Sequence, residues 1–170
     1  MKFTSNIKIT TEPLSQNTIF DAELLRDEVF NDIPKEEKPL LKASLDPVGF
    51  EDVYLENDVV MSKYWVLKDK TSSKIIGLSG IYQESGDKSH ECWLGWFCLD
   101  KKYRKQHLGK ELLSFSIEMA KKEGYKTMNV YTYNTKKYLP ARNLYKSFDF
   151  KECKIRESRY KKDIFLQKNI

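Results

Sequence analysis

Residues 103–113, YRKQHLGKELL, gather Arg104, Lys105 and Lys110 around the expected start of a helix. First-turn N–H groups of a helix have no partner within it and favour an anion. An apolar strand is expected to end near Leu99, shortly before this turn. A strand, a basic turn and a helix in that order suit a pyrophosphate. They equally suit a solvated basic helix start, and the turn alone leaves both readings open. Glu91 and His90 open the strand that leads here. By alternation Glu91 shares a face with Trp93, Gly95 and Phe97, while His90 points the other way. Other chemistry is poorly supplied. Three cysteines (Cys92, Cys98, Cys153) and two histidines (His90, His107) show no metal-ligand spacing. A zinc site, a disulfide framework or any bound metal is not expected. Cys92 and Cys98 read as buried, inert thiols.

The elements that must position these groups follow from pattern. The chain of 170 residues is 40% apolar and 32% charged, the composition of a globular protein. Residues 1–170 are expected to form one domain, without repeats or low-complexity linkers. No apolar run approaches the roughly 20 residues of a membrane helix. The first residues, MKFTSNIKITTEP, lack a signal-peptide core, so a cytoplasmic location is expected. Net charge is +5, but the basic residues are scattered among acids, so a nucleic-acid partner is not expected.

Residues 6–13 read as a strand that stops at Pro13. Residues 15–30 carry a helical stripe, with Ser15 as N-cap. A second, shorter helix is expected over 34–45, and DPVGFED reads as a loop. Residues 59–69 and 73–84 flank DKTSS as a hairpin. Residues 90–100 form a central strand. A helix over about 107–123 presents Leu108, Leu112, Phe115 and Met119 and stops at Gly124. Residues 125–133 form a strand, 138–148 a helix with Pro140 in its first turn, and 150–170 a closing pair of strands. The fold class is therefore α/β, with a mixed, mostly antiparallel sheet flanked by helices.

This arrangement resembles the GNAT family, the GCN5-related N-acetyltransferases. Their signature is Arg or Gln, two residues, Gly, any residue, then Gly or Ala. Arg104, Lys105, Gln106, His107, Leu108 and Gly109 fill those places, with His107 where the first glycine stands. GWFCLDKKYR resembles the strand before the signature, and KELLSFSIEMAKKEGYKTMNVYT the helix and strand after it. ARNLYKSFDF resembles a second family segment, with Asp149 replacing its glycine. RYKKDIFLQKNI is similar to the closing strand. The resemblance spans about residues 60–170.

The resemblance implies acetyl-CoA as co-substrate and N-acetyl transfer to a primary amine. Its pyrophosphate would rest on the backbone of residues 105–110, from Lys105 to Lys110. Its pantetheine arm would pair with Phe97, Cys98 and Leu99, within reach of Asn134. Tyr145 matches the family tyrosine near the coenzyme sulfur and would protonate the leaving thiolate. Glu91 would be the base, directly or through water, with His90 or water alone as the alternatives, and an N–H of Cys98 or Leu99 would stabilise the oxyanion. His107 is expected in ordinary helical geometry, a tolerated substitution. A coenzyme A-binding protein without turnover is the alternative, because His107 and Asp149 depart from the pattern. The acceptor is a small-molecule or peptide amine, its wall built by the N-terminal helices, the closing hairpin and some of Trp65, Trp93 and Trp96. A homodimer is compatible with the family.

Overall fold

The computed structural model describes residues 7–31, 33, 39–153 and 163–170. Its centre is the hairpin the sequence announces. Strand β2 (Val59–Asp69) turns through DKTSS into β3 (Ile75–Glu84). Asp69 closes that turn, accepting from the Thr71 N–H at 2.8 Å and the Ser72 hydroxyl at 2.9 Å. Side-chain closure of this kind is why aspartate favours turns. β1 (Ile9–Pro13) lies against β2, and β4 (Glu91–Leu99) against β3, both antiparallel. β5 (Thr127–Tyr133) then joins β4 in parallel, and β7 (Asp163–Asn169) and β6 (Lys151–Glu152) extend the sheet. The seven-stranded order is β1-β2-β3-β4-β5-β7-β6. This is the mixed, mostly antiparallel sheet that the pattern predicts.

A parallel neighbour needs a crossover, and α4 (Leu108–Lys122) supplies it. Its buried residues are Leu108, Leu112, Leu113, Ser116, Ile117 and Ala120. They pack on Leu67, Ile76, Ile81, Leu94 and Met128. Burial of each such leucine contributes about 1.5–3 kcal/mol. Phe115 and Met119 are only partly buried, so the stripe is rotated toward Leu113 and Ile117 from the one expected. Gly124, at φ 92°, ends the helix as anticipated. On the other sheet face, α1 (Ile19–Val29) and α2 (Leu40–Ala43) bring Ala22, Leu25 and Leu41 onto Tyr64, Val66, Leu78 and Cys98. α5 (Leu139–Ser147) carries Pro140 in its first turn.

Two expectations change. Ser15 does not cap α1. The helix begins at Ile19, and Ser15 forms a preceding turn in which its N–H donates to Thr18 Oγ1 at 3.0 Å. DPVGFED is not all loop, because α3 (Glu51–Glu56) starts within it, and Asp46 bonds the Gly49 N–H at 3.0 Å just before. Of the helix expected over 34–45, α2 is the described part; residues 34–38 lie outside the described residues, as do 154–162 of the closing hairpin.

Candidate active site

The sheet is split at its centre. β4 and β5 pair at Glu91–Thr127, Cys92–Met128 and Trp93–Asn129. Beyond that point β4 runs on to Leu99 and β5 to Tyr133 with no further pairing between them among the described residues. The cause is a bulge. Gly80 opposes Gly95 and Leu78 opposes Cys98, so one residue of β3 faces two of β4. Trp96 sits in the bulge at φ 43°. Its ring is held by Phe30 at 5.2 Å and by the Arg26 guanidinium at 5.5 Å. Bulges bend and twist a strand, and here β4 leaves β5 and opens a wedge.

The bulge also resets the faces. Before it, Cys92 and Leu94 join the core under α4; after it, Phe97 and Leu99 do. Glu91 therefore shares its face with Trp93 and Gly95 but not with Phe97, contrary to simple alternation. The backbone follows suit. The Asp100 N–H donates to the Ile76 carbonyl at 2.9 Å, so Leu99 and Phe97 turn their backbone groups away from β3 and into the wedge. Arg104 confirms the direction: its Nε and Nη2 reach the Leu99 carbonyl at 3.1 and 3.0 Å. Cys98 faces β3 instead, which removes it from the backbone groups available in the wedge. Burial pushes its thiol up to about 12, as it does for Cys92, so both are poor nucleophiles.

At the wide end stands the basic turn. Asp100 anchors it, accepting from the Lys102 N–H at 2.9 Å and from Lys74 Nζ at 2.6 Å. Lys105 and His107 then adopt φ 62° and 64°, both left-handed. The expectation of helical geometry at His107 was wrong: it is the residue just outside α4, in the conformation that favours glycine. A Cβ there costs about 1–2 kcal/mol. We expect His107→Gly to raise stability by about 1 kcal/mol in denaturant titrations. The backbone N–H donors of the turn stay in place in that variant. Equal stability of the two proteins would show that the imidazole makes contacts that offset the strain. Asp149 shows the same relation, at φ 62° where the resembling segment has glycine. At Gly109 a Cβ would meet only Leu144 at 3.4 Å and Leu99 at 3.6 Å, ordinary contacts. Packing within the chain does not demand a glycine there, and the bare backbone leaves the helix start open to approach.

Where the wedge meets the face opposite α4 there is a cavity of about 420 Å³. Phe97, Val130, Ala141 and Tyr145 line its wedge end. Tyr145 is buried, its ring 5.9 Å from Phe97 and 5.9 Å from Phe150. Burial first, and the neighbouring Cys98 second, raise the phenol above its ordinary pKa. It therefore stays protonated across neutral pH. Trp93 and Trp96 line the cavity, whereas Trp65 is core, edge-on to Phe115 at 5.5 Å.

The structure does not bring every expected residue to this cavity. Glu91 lies outside its lining, with its carboxylate 3.4 Å from Lys88 Nζ and 4.0 Å from His90 Nε2. Asn134 is exposed just past β5, and its side-chain oxygen accepts from Arg142. Sequence reasoning missed Glu84 and Asp163, the two carboxylates that do line the cavity, and the aromatic residues Tyr82, Tyr131 and Phe165. The signal available was the aromatic run YTY at 131–133 on an expected strand. Among the described residues there is no group of three or more His, Cys, Asp or Glu that could hold a metal. None of their helices is long and apolar enough to cross a membrane.

Comparison with known proteins agrees with this geometry. A search of curated proteins finds no match. Among solved structures, a GNAT-family acetyltransferase from Staphylococcus aureus superposes with a TM-score of 0.73 at 18% identity, over 95% of this chain and 99% of that one. The ribosomal-protein-S18-alanine N-acetyltransferase from Escherichia coli gives 0.69 at 19%, over 96% and 94%. A GNAT-family acetyltransferase from Elizabethkingia anophelis, solved with acetyl-CoA bound, gives 0.61 at 21%, over 95% and 98%. At these identities the likeness is one of fold. Residues 61–152, more than half of the chain, match the family model described as an acetyltransferase (GNAT) domain, and the chain belongs to that family.

Proposed function

We propose that the protein is an N-acetyltransferase that moves an acetyl group from acetyl-CoA to a primary amine by direct attack on the thioester. The wedge between β4 and β5 carries this reading. It joins the basic start of α4 to the cavity at Tyr145. Lys105, Lys110 and the first N–H groups of α4 suit a pyrophosphate. Gln106, His107 and Leu108 complete that turn, and the bare backbone at Gly109 admits close approach. The backbone groups of Phe97 and Leu99 suit a pantetheine arm laid in as an extra strand. Arg104 holds the Leu99 carbonyl, so Phe97 is the freer partner. Asn134 reaches the arm if its side chain leaves Arg142.

Bound acetyl-CoA supplies an acetyl thioester, whose carbonyl carbon gains a C–N bond as its C–S bond breaks. The chain handles charge and protons. A wedge-facing N–H, from Phe97 or Leu99, stabilises charge on the carbonyl oxygen. An amine is mostly protonated at pH 7 and must lose a proton before it attacks. Glu84, in the cavity lining, takes it directly or through water, in preference to Glu91, which lies outside the lining. Tyr145 gives its proton to the departing sulfur and regains one from solvent. The test is thiol release from acetyl-CoA across a panel of primary amines, with coenzyme binding measured in parallel. Amine-dependent release is expected. Binding without release from any amine would leave a coenzyme-holding protein, and absence of binding would overturn both readings.

A further inference from the structure

We propose that Tyr64 touches the acceptor: its hydroxyl oxygen accepts an N–H of the reacting amine and so orients the nitrogen lone pair. The proposal rests on the acetyl-transfer reading and adds a residue to its acceptor side. A row of three residues across three strands carries it. Tyr64 of β2 pairs with Gly80 of β3, and Gly80 pairs with Gly95 of β4. Residues paired across strands put their side chains on one face. Neither glycine has a side chain, so the row is bare beyond Tyr64, and the Tyr64 ring lies along it. Its Cδ1 occupies the place that a Cβ of Gly80 would need. Its hydroxyl stands 3.2 Å from where a Cβ of Gly95 would be. Glycine inside a strand often marks a close approach of this kind. The two glycines thus let a side chain of β2 reach over β3 to β4, beside the bulge at Trp96.

The hydroxyl at the end of this ring has no partner in the chain. A buried phenol ordinarily finds one. Tyr54 of α3 does so, sharing a hydrogen bond with Ser62 Oγ at 2.6 Å. Tyr64 is only 5% exposed, yet among the described residues its hydroxyl makes no hydrogen bond. Tyr64 and Gly95 both line the cavity, and the hydroxyl is open to it. Burial first, then the neighbouring Tyr54 and Tyr131, raise this phenol above its ordinary pKa, and Arg26 opposes them. It therefore stays neutral near pH 7 and cannot serve as the base. A neutral phenol still accepts through its oxygen. A neutral primary amine carries two N–H groups and one lone pair. With one N–H given to Tyr64, the lone pair is left to attack, and the proton lost in the reaction goes elsewhere. A ring laid against two glycines holds that oxygen in place before the substrate arrives, and fixed orientation of a nucleophile lowers the barrier.

Tyr64→Phe removes the oxygen and keeps the ring over both glycines. Thiol release from acetyl-CoA is measured with a panel of primary amines that includes butylamine, phenethylamine and alaninamide. For each amine the parent uses, kcat/KM for that amine should fall about tenfold in the variant, the scale of one hydrogen bond. The acetyl-CoA dissociation constant and the urea midpoint should hold, which a merely structural role would not allow. Tyr64→Leu, which strips the ring from the row, should lower the midpoint and shows what lost packing looks like. Equal kcat/KM of parent and Tyr64→Phe would overturn the proposal and leave acetyl transfer standing. A tenfold loss of acetyl-CoA affinity would put the hydroxyl on the coenzyme and overturn it as well. No release from the parent with any amine would sink acetyl transfer, and Tyr64 is then decided by calorimetric binding of phenethylamine to the protein loaded with coenzyme A. Binding about tenfold weaker in Tyr64→Phe would uphold the contact. Equal affinity, or binding to neither protein, would overturn it.

Discussion

Tyr145→Phe should lower turnover about 100-fold, the scale of a positioned general acid. The phenyl ring keeps its place between Phe97 and Phe150, so the fold loses little and coenzyme affinity should hold. In the proposed mechanism, only the proton for the departing sulfur is lost. Burial raises the phenol's pKa, so the wild-type rate should show no alkaline limb from Tyr145 near neutral pH. The measurement is single-turnover thiol release with chemistry rate-limiting. An unchanged rate under that condition would remove Tyr145 from proton transfer.

Gly80→Ala should be the most damaging small change to stability. Gly80 opposes Gly95 at the bulge. A Cβ there would stand 2.1 Å from Tyr64 Cδ1 and 2.6 Å from the Lys63 carbonyl oxygen. The Tyr64 ring also lies against Gly95, where a Cβ would stand 3.2 Å from its hydroxyl, so it packs closely on both glycines. The Lys63 carbonyl belongs to the paired strand and cannot retreat without breaking the ladder. Overpacking of this kind costs about 3 kcal/mol, and urea titration should show a lower midpoint at unchanged slope. Gly109→Ala is the control, since its new contacts are ordinary and its helix position favours alanine by up to about 1 kcal/mol. Equal stability of Gly80→Ala and the parent would mean that Tyr64 has a second resting place.

The strands and the long helix were legible because their apolar periods are clear. β2, β3 and α4 fall close to where spacing puts them, and Gly124 and Pro140 mark boundaries by backbone geometry alone. The bulge was not legible. ECWLGWFCL is apolar on both parities, so a one-residue slip leaves no trace in the pattern. That slip decides which backbone groups face the wedge, and hence why Phe97 replaces Cys98 there. α3 was hidden because Pro47 and Gly49 dominate its approach and Phe50, not a polar cap, precedes it. The basic turn was read correctly as a helix start, but the φ of His107 depends on how the chain leaves Asp100, which no local propensity encodes. Glu84 and Asp163 lie far apart in sequence and come to line one cavity through strand order alone.

The split sheet has a mechanical meaning. Strands β1 to β4 form one hydrogen-bonded block and β5, β7 and β6 another, joined along the ladder only at 91–93 with 127–129 among the described residues. So short a seam makes the two blocks natural units of partial opening. Whatever lies in the wedge with its own backbone-like groups acts as a staple, adding a rung to each block. Its binding energy then reappears as cooperativity between the blocks, in proportion to the logarithm of its concentration.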